Sequence, residues 1–170
     1  MRAGFFFAIL FGGVLVASVA NEMTSRDALA GVGDPGLNLE SQPAGVAWLV
    51  KNEDGHFYAE SMVATGDRGG SRVRFVIDTG ASLVALTRTD AERVGLDADT
   101  LAFDARVRTA NGEARAARVR LASVSVSGVK LEDVDALVLE EGLSQSLLGM
   151  SYLGRLSKIE AAGDALVLRR

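Results

Sequence analysis

The chain has no cysteine and a single histidine, His56, among its 170 residues. The first absence excludes disulfides, thiol catalysis and zinc–cysteine sites. The second excludes clustered-histidine metal centres and argues against a serine-type triad. Aromatic residues make up only 6% of the sequence, so the core must be built from Val, Leu and Ala. Basic residues are outnumbered, 18 Lys and Arg against 22 Asp and Glu, for a net charge of −4. Without a basic surplus to neutralise phosphates, a nucleic-acid partner is not expected. Carboxylates, hydroxyls and backbone groups are what remain for chemistry, and no metal or organic cofactor is expected.

The length suits one domain with a sizeable core. Residues 1–20, MRAGFFFAILFGGVLVASVA, place Arg2 before an uncharged and mostly apolar run, Ala3 to Ala20. Ser18-Val19-Ala20 has the small-x-small form accepted for signal cleavage, and the run is close to the shortest that spans a bilayer. A cleaved signal peptide and a retained membrane anchor both fit. Either exports the rest of the chain, and a periplasmic protein, anchored in the inner membrane or released after signal cleavage, is expected. Residues 21–45 hold both prolines, Pro35 and Pro43, and four glycines, and keep no apolar period for long. They read as a flexible linker. Residues 46–170 are then the globular domain.

That domain reads as short strands. Phe57 to Thr65 and Arg72 to Ile77 flank a glycine-rich loop, and Val73, Phe75 and Ile77 alternate onto one face, as in a β-hairpin. Thr89-Asp90-Ala91-Glu92 has the form of a capping box before a stop at Gly95, predicting a short helix at about 90–94. Asn111-Gly112 is a strong hairpin signal between Ala105–Ala110 and Glu113–Leu121. A two-residue turn there pairs Thr109 with Ala114 and Val107 with Ala116 on a small neutral face, and leaves Arg108 opposite Arg115 on a solvated one. The apolar alternation changes phase near Ala122-Ser123, which predicts a bulge or bend. Val134 to Leu139 reads as an interior strand, Ser151 to Leu156 as one or two helical turns, and Ala165 to Leu168 as a closing strand after a Gly163-Asp164 turn. Close-set strands with one or two short helices indicate a small all-β, barrel-like domain.

One segment carries chemistry: Phe75-Val76-Ile77-Asp78-Thr79-Gly80-Ala81-Ser82. It sets a carboxylate directly after a buried-type strand, at a tight glycine turn. An ionised carboxylate beside a core needs donors around it. The Gly80 N–H and the Ser82 hydroxyl are in place to supply them. An Asp that merely forms an Asx turn at a strand end has the same local pattern.

With Leu147-Leu148-Gly149-Met150, this segment resembles the retroviral-type (retropepsin-like) aspartic proteases, and in particular their bacterial, membrane-associated branch. Gly55-His56-Phe57, the Asp-Thr-Gly segment, Thr109-Ala110-Asn111-Gly112 and Leu147 to Gly154 follow in the order of that family, so the likeness covers about 55–170. It implies a small closed barrel with a flap hairpin. It implies catalysis by Asp78, with Thr79 tying the two halves of the site together and Gly80 admitting the backbone. It assigns substrate contact to Ala81 and Ser82 and to the flap residues Val107, Thr109, Ala110, Asn111 and Gly112. Leu147-Leu148-Gly149 packs beside the catalytic loop.

The chemistry implied needs two carboxyl groups, one to take a proton from water and one to protonate the peptide carbonyl. The chain has one Asp-Thr-Gly and no Asp-Ser-Gly, so the second group must come from another copy across a two-fold axis. A homodimer acting on a protein or peptide substrate is therefore expected. Arg106, Arg108, Arg115, Arg118 and Arg120 lie on or near the flap, as a solvated face or as an attraction for acidic substrate. His56 reads as a strand-start residue. Two other functions share these features: a catalytically silent module of the same fold that binds a peptide or partner, and an exported structural β-domain in which Asp78 only caps a turn.

Overall fold

The computed structural model describes residues 44–66, 69–109 and 112–170. The 1–20 segment, all of the 21–45 linker except its last two residues, and Ala110 and Asn111 of the flap lie outside the described residues. Among the described residues no helix is long and apolar enough to cross a membrane.

The strands are β1 (Val46–Val50), β2 (Tyr58–Ala64), β3 (Ser71–Ile77), β4 (Val84–Leu86), β5 (Ala105–Thr109), β6 (Gly112–Val126), β7 (Val129–Leu139), β8 (Leu147–Leu148), β9 (Lys158–Ala162) and β10 (Ala165–Arg169). Two short helices, α1 (Arg88–Arg93) and α2 (Met150–Leu153), complete the set. One sheet runs β2-β3-β8-β4-β7-β6-β5, and β6 also pairs with β2. That extra pairing closes six strands into a barrel and leaves β5 outside it, attached to β6 alone. The order β1-β10-β9 forms a separate antiparallel sheet. The all-β fold with a closed barrel, a hairpin arm and two short helices is thus the one the sequence indicates.

The barrel closes because β6 is long and bent. Its ladder with β7 keeps one register from Ala116 opposite Leu139 to Val126 opposite Val129. Only the Ala122–Asp133 pair drops out, and there Asp133 takes a φ of +52°. Asp is among the few non-glycine residues that tolerate this region. Both strands change their buried face at this point, from Leu121 to Val124 on β6 and from Val134 to Leu131 on β7. The phase change near Ala122-Ser123 is therefore a bend with no inserted residue. It lets one end of β6 pair with β5 and the other with β2.

The core is aliphatic, as the scarcity of aromatics requires. Val63, Val73, Leu86, Leu121, Val124, Leu148, Leu153 and Leu168 are fully buried. Phe75 and Tyr152 are the two large aromatic side chains among them. The Tyr152 hydroxyl donates to the Val129 carbonyl at 2.6 Å. Its burial pushes the phenol well above its ordinary pKa, so the ring stays neutral.

Two local expectations shift. Helix α1 begins at Arg88, and its N-cap is Thr87, whose hydroxyl accepts the Asp90 N–H at 3.1 Å. The Thr89 box lies inside the helix because Asp90 is turned inward. Its carboxylate accepts the buried Ser146 hydroxyl at 2.6 Å and pairs with Arg93. The flap hairpin is displaced by two residues: Thr109 faces Gly112, Val107 faces Ala114 and Ala105 faces Ala116. Arg108 then stands opposite Glu113 in place of Arg115. The same register sets Arg106 opposite Arg115, and a slip of two keeps every side chain on its expected face.

Candidate active site

Strand β3 carries the chain into Asp78 between two neighbours. On one side β2 pairs antiparallel, with Tyr58 opposite Val76. On the other, β8 pairs parallel, with Val76 opposite Leu147 and Ile77 opposite Leu148. The backbone continues this clamp beyond the strand ends. The Ile77 N–H donates to the Phe57 carbonyl at 2.9 Å, and the Asp78 N–H donates to the Leu148 carbonyl at 3.1 Å. The position of the carboxylate is thereby fixed by two separate stretches of chain, 57–58 and 147–148.

The Gly55-His56-Phe57 segment owes its shape to Asp54. That carboxylate accepts the Tyr58 hydroxyl at 2.6 Å and the His56 N–H at 2.9 Å, and Gly55 takes a φ of +83°. The Tyr58 hydroxyl and the His56 amide hold Asp54 down to a pKa of about 2. His56 itself is exposed and serves the turn through its backbone.

The turn after Asp78 is built by glycine and by α2. The Gly80 N–H donates to Asp78 Oδ1 at 2.8 Å, and a Cβ on Gly80 would lie 3.1 Å from that oxygen. Glycine thus permits the donor to come this close. Met150, the first residue of α2, donates its N–H to the Ala81 carbonyl at 2.8 Å. One residue on, the Ser151 hydroxyl accepts the Val84 N–H at 2.9 Å. Between these contacts Gly149 lies so close to the loop that a Cβ would sit 2.1 Å from the Leu83 oxygen and 2.7 Å from that of Ala81. The stretch 147–151 therefore holds the 78–84 loop at its start, middle and end. Ser146 extends the support. Its carbonyl accepts the Val76 N–H at 2.9 Å, and its hydroxyl accepts the Thr87 N–H at 3.0 Å while donating to Asp90.

Asp78 is half-buried, and Thr79 and Gly80 are exposed. The carboxylate opens into a cavity of about 560 Å³. Of the residues expected at a site, Asp78, Gly80, Ala81, Ser82, Val107 and Thr109 border this cavity. Thr79 does not border it, and Gly112 sits at the head of β6 with a φ of +115°. The Ser82 hydroxyl makes no hydrogen bond to Asp78 among the described residues; the Gly80 amide alone fills that role there.

Several bordering residues do not stand out in the sequence. Leu83, Ala85, Leu137, Leu139 and Leu147 form an apolar wall, and all but Leu83 belong with Ala116 to a second hydrophobic cluster distinct from the barrel core. Alternation in Val134–Leu139 would have placed 137 and 139 together, away from the faces of 134, 136 and 138. Arg108 and Arg118 add positive charge to the margin. A cleft with one half-buried carboxylate, apolar walls and a hairpin arm is suited to an extended chain with apolar side chains and to proton transfer at its backbone.

Known proteins match this arrangement. Residues 64–155 match the family described as "gag-polyprotein putative aspartyl protease". An uncharacterized protein encoded in the cobV 5' region of a Sinorhizobium species is 43% identical over 122 residues, covering 71% of this chain and 50% of that protein. An uncharacterized protein of Rickettsia prowazekii is 37% identical over 128 residues, covering 75% of this chain and 53% of its own. The chain thus spans about half the length of these two relatives. The crystal structure of a retropepsin-like aspartic protease from Rickettsia conorii aligns with a TM-score of 0.63 at 37% identity, covering 73% of this chain and 89% of the other.

Proposed function

The chain belongs to the retropepsin-like aspartyl protease family, and from that premise we propose that it is an aspartic endopeptidase whose site forms between the Asp78 carboxyls of two copies. The observation that carries this reading is the geometry of Asp78. A single carboxylate stands at the head of an apolar cleft with the Gly80 N–H on one oxygen. One such motif per chain leaves the reaction one carboxyl short, and a two-fold axis supplies it.

Two carboxyls about 3 Å apart cannot both ionise, so the pair shares one proton. The ionised member takes a proton from water as the water oxygen bonds to the scissile carbonyl carbon. The protonated member gives its proton to the carbonyl oxygen. In the collapse of the resulting diol the newly protonated carboxyl gives its proton to the amide nitrogen, the C–N bond breaks, the newly ionised carboxyl takes a proton from a diol hydroxyl, and the acids return to their starting state. No covalent enzyme intermediate forms. Thr79, exposed beside Asp78, joins the two halves of the site, and the β5–β6 hairpin closes over an extended peptide held by main-chain hydrogen bonds. Residues 1–20 export the domain, and if they stay as an anchor, confinement to one membrane raises the effective concentration of the pair.

The dilution behaviour of the full-length protein tests the assembly. Specific activity, followed with a quenched-fluorescence peptide, falls on dilution in step with the dimer fraction from analytical ultracentrifugation. Constant specific activity in a preparation that is monomeric throughout contradicts the proposal.

A further inference from the structure

We propose that Arg118 selects peptides with an acidic side chain within two residues of the scissile bond. This names a substrate class for the site just described and rests on that reading. Five arginines lie on or near the flap, and the structure separates them. Arg120 pairs with Asp135 at 3.0 Å. Arg115 donates to the Phe103 carbonyl at 3.0 Å and pairs with Glu140 at 3.4 Å. Arg106 borders a different cavity, together with Glu113 and Glu141. Only Arg108 and Arg118 border the Asp78 cavity, and neither has an ion pair or a side-chain hydrogen bond among the described residues.

Register explains why Arg118 stays unpaired. Along β6 the side chains of Ala116, Arg118 and Arg120 share one face. On β7 they meet Leu139, Leu137 and Asp135 in turn. Arg120 therefore finds a carboxylate, whereas Arg118 finds a wall of the cleft. Arg118 is exposed in the single chain; a peptide lying along the apolar wall beside it displaces water from that side, which strengthens its attraction for a carboxylate, and its planar fork matches carboxylate geometry. Two guanidiniums also outweigh the charge of Asp78 in the same cavity. In an extended peptide, side chains on one face recur every second residue, about 7 Å apart. An apolar side chain against Leu137 and Leu139 thus places the residue two positions away within reach of Arg118.

The test uses full-length protein and quenched-fluorescence peptides with an apolar pair at the scissile bond and Glu, Gln or Lys at each flanking position in turn. The readout is the Glu-to-Gln ratio of kcat/KM within one preparation, which cancels any loss of active protein. Wild type is expected to favour Glu at one position by about tenfold. Arg118→Gln should bring that ratio close to one, and Arg118→Glu should make Lys preferred to Glu there. Arg72→Gln, the same charge change on the exposed side of β3, should keep the wild-type ratio. A wild-type ratio near one, as when a carboxylate of the second copy occupies Arg118, overturns the proposal. So does a preference that survives Arg118→Gln. Binding of the same peptides to Asp78→Asn protein, read by fluorescence anisotropy, reports the preference without turnover. Glu preference in binding with no cleavage by wild type rejects the peptidase reading alone, and cleavage without preference rejects only the role of Arg118.

Discussion

Asp78→Asn is expected to lower peptide hydrolysis by at least about a thousandfold, the scale on which proton transfer by a positioned group contributes. The amide has nearly the volume of the carboxyl, but it neither takes a proton from water nor gives one to a carbonyl. Nothing in the surrounding structure requires the charge. Among the described residues the single side-chain hydrogen bond at this position comes from the Gly80 N–H, and an Asn oxygen accepts it equally well. Stability should therefore stay within about 0.5 kcal/mol of wild type, as for substitutions that leave packing and hydrogen bonds in place. Peptide turnover and thermal unfolding measured on the same preparation separate the roles. A purely structural Asx turn at Asp78, which Asn forms equally well, leads to a different result, with no cleavage by either protein.

Gly149→Ala is expected to damage the fold and the site together. The added methyl would sit 2.1 Å from the Leu83 oxygen, and main-chain atoms cannot give way as a flexible side chain does. Glycine is needed here for proximity and not for its dihedral freedom, since φ is −95°. Either α2 moves away from the 78–84 loop or the loop moves with Asp78. Overpacking against backbone costs about 3 kcal/mol. A displacement of about 1 Å at the carboxyl lowers turnover by about a hundredfold. Gly163→Ala is the useful contrast. Gly163 has a φ of +60° with nothing within 4 Å of the added Cβ, in the turn between β9 and β10. It should lose about 1 kcal/mol to backbone strain and keep its turnover. Urea unfolding and kcat/KM on the two variants check both statements.

These contrasts also show why some features are legible in the sequence and others are not. The place of the turn at Asp78 is marked locally, by an apolar strand, a carboxylate and a glycine two residues later, so it can be read from eight consecutive residues, whereas the contacts from 57–58 and 147–151 that hold it cannot. The faces of the flap hairpin are legible for a similar reason, because alternation assigns them whatever the register. The register itself, which sets Arg108 opposite Glu113 and Arg106 opposite Arg115, is a choice made across strands. Strand β9 escapes a reading by pattern because Lys158-Ile159-Glu160-Ala161-Ala162 is mostly exposed and sets one branched residue among charges and alanines. Strand β1 follows directly on the glycine- and proline-bearing segment, and its run Val46 to Val50 shows no alternation. The Ser146–Asp90 hydrogen bond joins residues 56 apart, which no local period reveals. Arg118 differs from Arg120 only through what lies opposite on β7, so a sequence that shows five arginines cannot sort them.

The most direct test of a site shared between two chains is subunit mixing. Wild-type protein, held at a concentration where it is fully dimeric, is equilibrated with about a ninefold excess of Asp78→Asn protein. If each site draws one Asp78 from each copy, random exchange leaves wild-type pairs holding about a tenth of the wild-type subunits, and activity falls to about a tenth. Activity that stays at its starting value, with subunit exchange verified by mass-tagged pairs, contradicts the account.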